Sequence, residues 1–150
     1  DQHRAWLRNV TGLLAAHFSG EIPQSDAELA ALLWFAQMQR FDTAMAQMPH
    51  SRSLEAEAFF ARPAEALAAA RALLGQAAKP TAIKALIAGS LFNSYSKNPA
   101  HKFGNAERLA RRAKLQVELR PEITAAQHWL EENAPETLAL QGRIEAAALL

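Results

Sequence analysis

Lys97, Lys102, Arg108, Arg111, Arg112 and Lys114 crowd six cations into one short stretch of a 150-residue chain. Arginine suits a phosphate because its planar fork donates two parallel hydrogen bonds, and a lysine ammonium adds a mobile point charge. Tyr95, His101 and Phe103 are interleaved with these cations and offer flat surfaces on which unpaired bases stack. Residue types in this pattern point to a nucleic-acid phosphate backbone, held through release of its condensed counterions.

Positioning such groups takes a loop and a helix. Asn98-Pro99 and Gly104 are turn signals, so Lys97 to Gly104 reads as a loop. Asn105 caps the helix that follows, whose N-terminus adds backbone donors and a partial positive charge. Arg108, Arg111 and Arg112 share one face of that helix at spacings of three and four.

The charge is unevenly spread. Residues 97–120 carry 7 basic and 2 acidic groups, and residues 121–150 carry 1 basic and 5 acidic. The stretch before them is balanced, which leaves the formal net charge at +1. A competing account of the arginines is therefore an internal seam with Glu131, Glu132 or Glu136. Surface pairs of that kind contribute about 0–1 kcal/mol each and need no functional reason. On the same account Tyr95 and Phe103 are core residues.

Catalytic arrangements are missing. The chain has no G-x-S-x-G, no phosphate-binding G-x-x-x-x-G-K-[ST], no H-E-x-x-H and no G-x-G-x-x-G. With 0 Cys, disulfides, thiolate nucleophiles and Cys-ligated zinc are excluded. The histidines His3, His17, His50, His101 and His128 make no i,i+3 or i,i+4 pair with one another. His128 falls on an amphipathic helix and reads as partly buried and structural. Glu131 and Glu132 are adjacent and point about 100° apart on a helix, which suits solvated charge better than paired acid–base work. The expectation is a protein that is not an enzyme, with no catalytic residue, no metal and no cofactor.

Composition decides the fold class. Alanine makes up about a quarter of the chain, Val occurs only as Val10 and Val117, and Tyr only as Tyr95. Ala and Leu fit helices and β-branched and aromatic residues fit strands, so the chain reads as all-α. A first helix spans 3–18, with Trp6, Val10, Leu13, Leu14 and His17 at helical spacing. Ser25-Asp26-Ala27-Glu28 is a capping box that opens a second helix running to Gln47. That helix carries two apolar stripes, Leu29/Leu32/Leu33/Ala36 and Trp34/Met38/Phe41/Met45, so it reads as the central, buried helix. Ser51 or Ser53 caps a short helix through Phe59-Phe60. Pro63 opens the next, closed by Gly75, and Pro80 opens another with Ile83, Leu86, Ile87, Leu91 and Tyr95 inward. After the basic helix, Pro121 and Asn133-Ala134-Pro135-Glu136 start the last two. The sum is a compact multi-helix bundle of about seven or eight helices with short loops.

Residues 1–150 read as a single helical domain. The start at Asp1 without Met and the end at Leu149-Leu150 read as a fragment or module of a larger protein. No apolar stretch reaches the roughly 18 residues of a membrane span, and no basic-then-apolar leader opens the chain, so the expected home is cytoplasmic and off the membrane. The functional expectation is a non-catalytic module binding a DNA or RNA backbone through residues 97–120 within a larger assembly. The alternative is a protein–protein interaction or scaffolding domain. In it the basic segment docks an acidic protein surface, or the Trp34/Met38/Phe41/Met45 stripe and the apolar terminus Ala146-Ala147-Ala148-Leu149-Leu150 pack on a partner helix.

Overall fold

A computed structural model of the chain describes residues 2–16, 18–95, 98–102 and 104–150, with backbone alone for His3, Leu14, Tyr95 and residues 98–102. The fold is all-α. Among the described residues there are nine helices: α1 (Gln2–Leu14), α2 (Asp26–Gln47), α3 (Ala56–Ala61), α4 (Pro63–Leu73), α5 (Pro80–Ala88), α6 (Ser90–Asn93), α7 (Asn105–Glu118), α8 (Arg120–Asn133) and α9 (Thr137–Ala146). Between α6 and α7 lie β1 (Ser94–Tyr95) and β2 (Asn98–Lys102), an antiparallel pair. None of the described helices is long and apolar enough to cross a membrane.

Two of these elements correct the sequence reading. The helix expected from Pro80 onward is broken at Gly89, whose backbone is extended (φ −78°, ψ 175°). The Asn93 side-chain amide donates to the Ile87 and Gly89 carbonyls at 3.1 and 2.9 Å, so the break leaves those acceptors satisfied. Of the residues expected inward, Ile83 is buried while Leu86 and Leu91 are exposed. The expected loop from Lys97 to Gly104 is in part a strand, Asn98–Lys102. Pro99 is tolerated there because a two-stranded ribbon has an unpaired edge where its missing N–H is not needed. The register shifts between the pairs Ser94↔Lys102 and Tyr95↔Asn98.

The chain divides into two compact units, one of residues up to Pro49 with Gln116–Ala146, the other of His50–Leu115 with Ala147–Leu150. In the first, α2 packs on α1, α8 and α9. Its start is fixed by the capping box read from the sequence: the Glu28 N–H donates to Ser25 Oγ, and the Ser25 N–H to the Glu28 carboxylate, both at 3.1 Å. The core joins Leu32 and Phe35 of α2 to Trp129, Leu130, Ala134 and Leu140. Phe18 meets Phe35 edge-on at 6.3 Å and lies 5.8 Å from Trp129. The chain passes close to that ring at Gly20, where an added Cβ would come to 2.5 Å from Phe18. Asn133 then holds the α1–α2 connection, accepting from the Glu21 N–H at 2.7 Å and donating to the Trp129 carbonyl at 3.0 Å. The α1 stripe is less buried than its spacing suggests, with Trp6 and Leu13 exposed and Thr11 buried. His17 lies outside the described residues.

The second unit contains α3 to α6, the ribbon and α7 through Leu115. Glu55, rather than Ser51 or Ser53, caps α3, accepting from the Ala58 N–H at 2.7 Å. Gly75 takes φ +67° and closes α4 as read, with the Gln76 N–H returning to the Arg71 carbonyl at 2.8 Å. The end of the chain is tied down where Ser53 N–H donates to Ala147 O and Leu149 N–H to Ser53 O.

Phe35 is 1% exposed. Phe35→Ala should lower unfolding free energy by about 3–5 kcal/mol, through the lost transfer of the ring and an unfilled cavity. Phe41→Ala, at a site 38% exposed, should lower it by less than half as much in the same urea titration.

Candidate functional site

The arginine face is real, and it is largely occupied from within. The Arg108 Nη2 donates to Glu57 Oε2 at 2.8 Å while its Nη1 reaches Oε1, a bidentate pair between α7 and α3. Arg112 Nη1 lies 2.7 Å from the same Oε1. Arg108 also donates to Asn105 Oδ1 at 2.9 and 3.1 Å and lies 4.8 Å over the Phe60 ring. Phe60 in turn packs edge-on against Phe59, and Phe59 against Phe92. One carboxylate thus serves two guanidinium groups above an aromatic cluster. Those hydrogen bonds hold Glu57 below the usual carboxylate range and push Arg108 up.

The acid paired with Arg108 and Arg112 is Glu57, a residue the competing account, with its Glu131, Glu132 or Glu136, did not name. Glu132 lies 3.4 Å from His128 Nδ1, and Glu136 accepts from the Gln39 amide at 3.5 Å. His128 is itself exposed, against the expectation of partial burial. At the start of α7 the Glu107 carboxylate accepts from the Gly104 N–H at 2.9 Å, so an anion of the chain's own already sits at that helix terminus.

Of the other residues expected to touch a nucleic acid, Arg111 is exposed and makes no ion pair among the described residues. Lys114 is exposed and partnered. Lys102, Tyr95 and His101 take backbone places in the ribbon, with side chains outside the described set. Lys97 and Phe103 lie outside the described residues. No group of three His, Cys, Asp or Glu suited to a metal ion occurs among the described residues.

A second feature has a different character. In the first unit, α2, α8 and α9 enclose a groove of about 740 Å³. Its α2 wall is Ala27, Ala30, Ala31 and Trp34. Its α8 wall is the stripe Ile123, Ala126 and Leu130, continued by Leu119 at the cap of that helix, and Leu138 closes it from α9. The alanines leave a shallow ridge that lets another helix axis come near, within about 8–10 Å. Trp34 is half-buried, but Leu119, Ile123 and Leu138 are 43%, 40% and 77% exposed. Large aliphatic side chains left in water around a concave surface make the groove a candidate binding site. Trp34 is legible in the sequence as part of the second α2 stripe. Ile123 and Leu138 are not, because helical spacing does not say which of several apolar positions a neighbour covers.

Glu57 titrates below its ordinary value of 4.5. Its contribution to stability is therefore complete above that pH and disappears as pH falls through the lowered folded value. Glu57→Gln should destabilise the protein at pH 7 and flatten the loss of stability between neutral pH and the acid limb, read as urea midpoint against pH. An unchanged acid limb would show that the pairing carries no stability.

No protein-family model matches the chain, and comparison with curated proteins and with solved structures likewise gives no match.

Proposed function

We propose that this chain is a non-catalytic helical interaction module that receives the apolar face of a partner helix in the α2/α8/α9 groove, as one part of a larger assembly. The observation that carries the reading is the groove itself, with exposed Leu119, Ile123 and Leu138 around a floor of small residues. Three helices around one groove leave a fourth position open, and a helix with apolar residues at i, i+3, i+4 and i+7 fills such a position. Burial of apolar surface, at about 25 cal/mol for each Å², supplies the driving force, reduced by the freedom lost on docking.

The test uses an 18-residue helical peptide with Leu at those positions and Gln elsewhere, labelled for fluorescence anisotropy. Binding in the micromolar range is expected, with a loss of tenfold or more in the Ile123→Asp/Leu138→Asp double variant. Both positions are exposed, so the variant should keep its far-UV circular dichroism. Equal binding by both proteins would reject the groove as the docking site.

Nucleic-acid backbone binding stands as a second reading, favoured by the exposure of Arg111 and Arg112 on α7. The engagement of Arg108 and Arg112 by Glu57 counts against it, because a phosphate would have to displace a carboxylate already in place. If it holds, Arg111→Ala/Arg112→Ala should weaken binding of labelled DNA or RNA evenly across sequences. It should also make log K fall less steeply with log salt, by about one unit of slope for each phosphate that is no longer neutralised. No binding of either polymer at low salt would dismiss it.

A further inference from the structure

The groove carries charge as well as shape, and both its charges have one sign. Glu122 and Glu131 line it, and no Lys or Arg does among the described residues. At 100° per residue the two glutamates fall on opposite edges of the α8 apolar stripe, Glu122 about 70° to one side of its centre and Glu131 about 110° to the other. Both are exposed, and neither joins an ion pair with any described residue. An apolar guest helix in the groove would strip water from these carboxylates with nothing in return, and an acidic guest would add repulsion. A cation on each side of the guest's stripe would replace the lost solvation and set the guest's position across the groove.

We infer that the partner is a cationic amphipathic helix, one whose apolar stripe is flanked on both sides by Lys or Arg. The inference rests on the groove being the docking site, as proposed above, and adds the identity of the guest. The apolar stripe from Leu119 to Leu130 is about 16 Å long at 1.5 Å per residue, so three turns of guest helix cover it. Its apolar side chains lie over the alanines of α2. Its flanking cations reach Glu122 on one edge and Glu131 on the other.

Three labelled 18-residue peptides test this, with the same Leu stripe and with Lys, Gln or Glu at the flanking positions. The expected order is Lys tightest, Gln weaker by about fivefold, and Glu weakest, from two exposed ion pairs of about 0.5 kcal/mol each. The margin between Lys and Gln should shrink as salt is raised. In Glu122→Gln/Glu131→Gln the Lys and Gln peptides should bind alike, with the Gln peptide held at least as tightly as by the unaltered protein. Equal affinity of all three peptides for the unaltered protein would overturn the charge assignment while leaving the groove in place. Binding of none would remove the docking site itself. Self-association of the protein that shuts the peptides out, seen by sedimentation, would make the occupant a second copy and overturn the assignment to a partner.

Discussion

The packing of Phe35 on Phe18, between α2 and the chain that leads into it, organises the whole of the first unit. Phe35 is almost wholly enclosed, and Phe18 bridges it to Trp129 of α8. Three rings from distant parts of the sequence thus form one apolar node. Around it α1, α8 and α9 take their places against α2. The polar fastenings are arranged to suit it. Asn133 fixes the turn beside Phe18 at one end of α8, and Arg143 binds Asp42 at 2.8 Å to tie α9 to α2. Hydrogen bonding to Asp42 holds the Arg143 pKa above its ordinary value.

With one side of α2 committed to that node, its small-residue side is left facing the groove. Ala27, Ala30 and Ala31 have no bulk with which to fill the space between α2, α8 and α9. The same residues that let a neighbouring helix approach closely leave a cleft where no neighbour of sufficient length is present. The candidate docking site is in this sense a consequence of the core: α2 turns Leu32 and Phe35 into it, and Ala27, Ala30 and Ala31, with Trp34, line the groove.

The basic helix follows a different logic. Arg108 is half-buried against Phe60, and a guanidinium placed there requires a counter-charge. Glu57 on α3 supplies it and takes Arg112 as well. A cluster of cations that reads as a ligand site in one dimension is, for two of its members, a clasp between α3 and α7. The chemistry is the one the residues imply, bidentate recognition of an oxyanion, but the oxyanion belongs to the chain.

The all-α class and most helix boundaries can be read from the residues alone, because these are local matters. Alanine and leucine content sets propensity, the Ser25/Glu28 pair sets a start, and Gly75 and Pro63 set a stop and a start within a few residues of themselves. The inward side of α2 is legible only in part: helical periodicity aligns Leu32 with Ala36, but Phe35, the most enclosed residue of the helix, belongs to neither stripe read from the sequence, and Phe41 of the second stripe is exposed. Which groups meet is a different matter, settled only when the helices pack. Nothing near Arg108 in the sequence announces Glu57, 51 residues earlier, because the pairing depends on how α3 and α7 come together. The break at Gly89 is a local exception that helical periodicity missed, its carbonyls at Ile87, Gly89 and Ser90 satisfied by the Asn93 and Ser94 side chains four to six residues on. The exposure of Ile123 and Leu138 is hidden for the same reason as the Glu57 pairing. A helical stripe says which residues share a face, and only the packed neighbours settle whether that face is covered.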